Sequence, residues 1–241
     1  MEFLFEGAIS VKACILAGKR KVTRVLVDKN KYDRNLSFII HQAENRQIPV
    51  EKVTREEIDA LASGSTHGGI ICYAQERTYA DASELKGRRF LAILEGIEDP
   101  FNFGYCLRSL MAAGCEGVLV NQRNWYESAG VIAKSSAGAS EYLDVCPVID
   151  WTDTLQMLKS DYVILAAQRK DAISLYEADL TRPCILAIGG EKRGLSNAVN
   201  NMADQNVFIP YAGDFRNALN ASSAVSVMAF EIFRQNQGGR K

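Results

Sequence analysis

At 241 residues with 47% hydrophobic side chains, the chain suits one large domain or two small ones and has the composition of an ordinary globular protein. Its 28 basic and 29 acidic residues give no overall basic excess of the kind common in nucleic-acid binders, although a balanced total can conceal a local patch. The longest apolar runs, such as 90–94, 162–167 and 184–188, are strand-length and exclude a bilayer-spanning helix, and the acidic start of the chain, with Glu2 and Glu6 and no basic stretch, leads us to expect no signal peptide.

In chain order, the first basic concentration comes at Lys19, Arg20, Lys21, Arg24, Lys29, Lys31 and Arg34, opposed only by Asp28 and Asp33. Such a cluster is either a solvated face or an RNA-facing patch. Residues 23–28 read as a strand. Leu36, Ile39, Ile40 and Ala43 recur at helical spacing, so 36–46 reads as a helix. Thr54 and Glu57 form a capping-box pattern that opens a second helix. Residues 69–74 read as a strand, and the polar stretch 75–89 reads as a connection. We therefore expect a first domain over 1–80, a linker at 81–89 and a second domain over 90–241.

The second domain alternates strands at 90–94, 117–120, 162–167, 184–188 and 207–209 with helical stretches, and closes on a helix whose Val225, Met228, Ala229 and Ile232 form one apolar stripe. Repeated strand–helix units imply a mostly parallel sheet covered on both faces, with ligands at the carboxyl ends of its strands. The six cysteines are scattered without a C-x-x-C pair, and His41 and His67 are the only histidines. We expect a reducing cytoplasm and no metal.

Three loops follow three of these strands. Residues 95–104 run through Asp99-Pro100, with Asn102 as an expected helix cap, into a helix carrying Arg108. Residues 189–196, Gly-Gly-Glu-Lys-Arg-Gly-Leu-Ser, have Walker-like glycine spacing, but Leu195 stands where the phosphate-binding lysine belongs. Residues 209–220 end at Asn220, a natural helix cap, followed by the small residues Ala221, Ser222, Ser223 and Ala224. Singly, each loop is also explained as a capped helix or a tight turn.

Together, in this order and at these separations, the loops resemble the TrmH/SpoU branch of the SPOUT methyltransferases. Asp99, Pro100, Asn102, Gly104 and Arg108 match the family's first motif. Gly189, Glu191 and Gly194 match the second, and Ile209, Pro210, Leu219 and Asn220 the third. Residues 134–139 also resemble the family's Ser-x-Gly-Ala segment. The resemblance covers about residues 90–236, and the segment before it looks like the small RNA-binding domain that many members carry. Gly190 stands where many members have asparagine, and Ala218 where they have serine.

The resemblance implies an α/β fold: a SPOUT-type trefoil-knotted parallel sheet with helices on both faces, preceded by a small α/β RNA-binding domain. It implies an S-adenosylmethionine-dependent RNA ribose-2′-O-methyltransferase, with the cofactor held by Gly189, Gly190, Ile209, Ala218, Leu219 and Ser223. Arg108, Asn102, Glu191 and Asn220 are the implied catalytic group; the local excess of positive charge, and not the resemblance, makes Lys19, Arg20, Lys21 and Arg24 the expected RNA contacts. Arg108 is then either the base or, since an arginine stays protonated, an electrostatic stabiliser. The implied assembly is a homodimer in which this arginine works beside the neighbouring subunit's pocket. Ribosomal RNA is the expected substrate, with transfer RNA and a catalytically weak RNA-binding protein as alternatives.

Overall fold

The computed structural model describes residues 1–123, 128–214 and 217–237; positions 215 and 216 of the third loop lie outside them. The chain divides into two compact units, one of residues 1–78 with 124–142, the other of 79–123 with 143–241. No helix among the described residues is long and apolar enough to cross a membrane.

The first unit opens with β1 (Phe3–Glu6), α1 (Ala8–Ala17), β2 (Arg20–Asp28), α2 (Arg34–Glu44), β3 (Val50–Val53), α3 (Arg55–Leu61) and β4 (Ile70–Arg77). Its four-stranded sheet has the order β1-β4-β2-β3. Asp33 caps α2 by accepting from the Leu36 amide, and the capping box of Thr54 and Glu57 starts α3. Val25 and Val27 face α1 and α2, whereas Leu26 and Ile71 face Ile58 of α3. Both faces are thus covered, which is why 25–27 is an unbroken apolar run. The strand begins at Arg20, before the expected Thr23, because register shifts near Val22 interrupt its alternation.

In the second unit, β5 (Phe90–Glu95), α4 (Pro100–Ala112) and β6 (Gly117–Asn121) come first. The helices α5 (Ala129–Ser135) and α6 (Ala139–Tyr142) then belong to the first unit, where α5 packs on β1 and α6 on α1. The second unit resumes with β7 (Asp144–Val148), α7 (Trp151–Leu158), β8 (Val163–Ala167), β9 (Ala172–Ser174), β10 (Cys184–Gly189), α8 (Asn197–Met202), β11 (Gln205–Phe208) and α9 (Ala221–Asn236). Its seven described strands, in the order β7-β6-β5-β10-β8-β11-β9, are all parallel. Helices α7 and α8 pack one face around Ile93, Ile185 and Leu155. On the other face α4 lies against α9, and Val225, Met228, Ala229 and Ile232 are buried. Every residue of β5 is buried, as a central parallel strand requires.

Residues 81–89, expected as a linker, hold a short 3₁₀ turn capped by Asp81 and Glu84. Leu85 is fully buried, and the Tyr162 hydroxyl donates to its carbonyl while accepting from the Arg88 amide at 2.9 Å.

Candidate active site

The site forms where β8, β10 and β11 end. Ile188 pairs with Leu94 and Gly189 with Glu95, so β5 and β10 finish level and release the first two loops side by side. The Gly190 amide donates to the Glu95 carbonyl at 2.7 Å, and the Ser196 amide to the Glu95 carboxylate at 2.7 Å. Between these anchors Gly190 and Gly194 form an isolated antiparallel bridge, with Gly194 in the left-handed region at φ 64°. A Cβ on Gly189 would collide with the backbone of Gly194 and Leu195, and one on Gly190 with the Gly96 carbonyl. The two glycines are therefore required by the loop itself, and their bare backbone faces the space in front of it.

That space is a cavity of about 530 Å³, a size typical of small-molecule sites. It brings together Gly189, Gly190, Glu191, Ile209, Ala218, Leu219 and Asn220 from the second and third loops. Ile188, Val207, Leu219 and Met228 give it apolar walls, while Gly189 and Gly190, having no side chains, present backbone. Flat aromatic rings are held by such walls, with backbone amides and carbonyls reading their edges, so the residues suit an adenine-bearing cofactor.

Other expected site residues lie elsewhere. Ser223 is not among the lining residues; its amide donates to Asn220 Oδ1 at 2.8 Å and so caps α9. Asn102 is not the cap of α4. Asp99 fills that role, accepting from the Asn102 amide at 2.8 Å, and Pro100 occupies the first turn, where its missing N–H costs nothing. Arg108 is exposed on α4, outside the cavity lining, and makes no hydrogen bond or ion pair among the described residues.

Sequence reasoning missed the contribution of β8. Ala167, Gln168 and Arg169 line the cavity, as does Tyr211, whose hydroxyl accepts from the Leu219 amide at 3.0 Å. The signal was present: residues 162–167 read as a parallel strand, so the loop after Ala167 belonged with the other carboxyl-end loops. Thiolate chemistry has no place here. Every cysteine is buried, and burial pushes Cys106, Cys115 and Cys184 up to about 12.

In the first unit, Lys21 and Arg24 are exposed, and the Arg24 guanidinium lies 4.3 Å from the Tyr73 ring centroid. Lys19 is half-buried. Arg20 is turned inward and does not belong with the expected surface contacts. Its Nε donates to Glu141 at 2.7 Å, with the two side chains 7% and 1% exposed. His67 is buried as well. The Gly69 amide donates to its Nδ1, so Nε2 carries the hydrogen and donates to Asp59 at 2.7 Å.

With this geometry in place, the comparisons with known proteins agree on one family. The model of the SpoU rRNA Methylase family matches residues 89–230, and that of RNA 2′-O ribose methyltransferase substrate binding matches residues 4–80. A protein of Staphylococcus saprophyticus named for the TrmH family of tRNA/rRNA methyltransferases is 31% identical, over 97% of this chain and 96% of its own. The 23S rRNA (guanosine-2′-O-)-methyltransferase RlmB of Yersinia pestis is 28% identical over 98% of each chain. The structure of an AdoMet-bound rRNA methyltransferase from Sinorhizobium meliloti superposes with a TM-score of 0.81, at 19% identity, over 97% of this chain and 87% of that one.

Proposed function

From the SpoU rRNA methylase family, to which this chain belongs, we propose that it transfers a methyl group from S-adenosylmethionine to a ribose 2′-hydroxyl of ribosomal RNA. The observation that carries the reading is the cavity at the ends of β8, β10 and β11, which assembles the glycine loop and the 209–220 loop around apolar walls. S-adenosylmethionine, when bound, supplies a methyl group on a sulfonium sulfur, activated for direct displacement by an oxygen nucleophile. The protein's task is alignment: the ribose oxygen must lie in line with the breaking bond, at roughly 3–3.5 Å from the methyl carbon.

Arg108 is assigned to the ribose. A guanidinium stays protonated, so it offers a fixed positive charge to the developing alkoxide while the proton leaves to water or a neighbouring acceptor. Glu191 and Asn220 line the cavity and orient the ribose, and Asn102, on the same helix as Arg108, serves the RNA backbone. Arg108 stands outside the cavity of its own chain, which fits action on a second subunit's cavity. The homodimer this requires is supported by the exposed apolar side chains Phe101, Tyr105 and Met111 on α4 and Phe230 on α9. Threading of the C-terminal part of the sheet through a loop, as a trefoil knot, belongs to the same proposal, as does a cytoplasmic location, which suits six free, buried cysteines. In the first unit Lys19, Lys21 and Arg24 are the proposed phosphate contacts, and Arg20 is not.

The test is methyl transfer from radiolabelled cofactor to total RNA, followed by mapping of 2′-O-methyl positions in cells with and without the gene. Loss of a ribosomal RNA position supports the reading. Loss of a transfer RNA position instead replaces the substrate, and no transfer to either refutes the activity.

A further inference from the structure

Arg169 stands two residues past the end of β8 and lines the cavity that we read as the cofactor site, and the inference drawn from it rests on that reading. Its guanidinium lies 4.5 Å from the Tyr211 ring centroid. Tyr211 is itself fixed, its hydroxyl accepting from the Leu219 amide at 3.0 Å. The stack restrains a side chain that would otherwise sample many rotamers, so the positive charge is held in place before any ligand arrives. Among the described residues Arg169 makes no hydrogen bond or ion pair, and it is the one basic residue lining the cavity, as Glu191 is the one acidic residue.

The charges of the cofactor complement this pair. S-adenosylmethionine carries one anionic group, the α-carboxylate, and two cationic ones, the α-ammonium and the sulfonium. A carboxylate drawn out of water into an apolar cavity needs a charged hydrogen-bonding partner, and a guanidinium offers two parallel N–H donors that match its two oxygens. We infer that Arg169 is the residue that binds the cofactor's carboxylate, and that its stack on Tyr211 couples that end of the cofactor to the loop carrying Leu219.

Calorimetry on the full chain tests this with two probes. S-adenosylhomocysteine has the carboxylate; 5′-methylthioadenosine keeps the adenosine and sulfur but lacks the amino-acid tail. Arg169→Met should weaken S-adenosylhomocysteine about tenfold, the lower end for losing a hydrogen bond to a charged group. Binding of 5′-methylthioadenosine should stay within about twofold, and Arg169→Lys should recover part of the loss. Unchanged S-adenosylhomocysteine affinity overturns the inference. So does an equal loss of both probes, which would mean that Arg169 only shapes the cavity. If Arg169→Met instead weakens RNA binding and lowers its salt dependence while leaving S-adenosylhomocysteine alone, the anion is an RNA phosphate and the assignment falls. If the wild-type chain binds neither probe, the cofactor reading falls first and this inference with it.

Discussion

Replacing Arg20 with methionine tests whether the basic cluster of β2 is one surface or two populations with different duties. An exposed ion pair contributes about 0–1 kcal/mol, because water already solvates both charges. Arg20 and Glu141 are 7% and 1% exposed and 2.7 Å apart, which places them in the buried class. There, removing one partner strands the other and costs about 3–5 kcal/mol. Arg20 also donates to the Gln75 carbonyl and lies 4.9 Å from the Phe5 ring centroid, so methionine forfeits more than the ion pair. We therefore expect Arg20→Met to cost at least about 3 kcal/mol in urea denaturation followed by circular dichroism. Arg20→Met combined with Glu141→Leu should recover most of that, since no charge is then stranded. The single loss should also persist in about 1 M salt, where a surface pair would be screened. A loss below about 1 kcal/mol, or one that salt abolishes, would refute the inward role and return Arg20 to the RNA-facing set.

Reversing Lys19 and Lys21 to glutamate should weaken RNA binding and lower the log–log salt slope by about 0.7–0.9 for each phosphate no longer neutralised; an unchanged slope would reduce the patch to a solvated face. Arg108→Ala should lower single-turnover methylation at least about 100-fold, with cofactor affinity by calorimetry held within a few-fold, and wild-type turnover would remove this arginine from the reaction. Gly190→Ala forces the glycine loop away from Gly96, so cofactor affinity should fall by more than about tenfold; intact affinity would show that the loop does not shape the site. Light scattering at micromolar concentration should give a dimer, and Tyr105→Glu should shift it towards the 26.6 kDa monomer; a wild-type monomer would sink the shared-site proposal.

The second unit was the more legible in the sequence. Its central strands are buried on both faces, so 90–94, 117–120, 162–167 and 184–188 appear as continuous apolar runs, and the structure extends them by a residue or trims one. Short strands at the margins left no such mark: β1, β3 and β9 have three or four residues each, too few to show a period. Helix α1 escaped for the opposite reason. Its sequence, Ala-Ile-Ser-Val-Lys-Ala-Cys-Ile-Leu-Ala, is apolar nearly all round and offers no stripe to detect. In the site, the glycine loop and the 209–220 loop were legible because their spacing is unusual. Arg169 and Tyr211 were not, since an arginine after a strand and a tyrosine in a loop are ordinary until the fold sets one above the other. The inward pairing of Arg20 was not legible, because linear charge density says nothing about which way a strand residue points, and its partner lies 121 positions away.

The chain's excursion through 124–142 alters what counts as a severable part. β6 and β7 are neighbours in one sheet, with Gly117 paired to Asp144, yet the helices joining them are packed into the other unit. The backbone therefore passes between the units three times, near residues 78, 123 and 142. A protease cutting anywhere in 79–89 would not release two intact halves, since the carboxyl-terminal product would still hold residues 124–142 of the first unit. Separating the amino-terminal segment at that point would strip β1 and α1 of the helices that cover them and uncover Arg20.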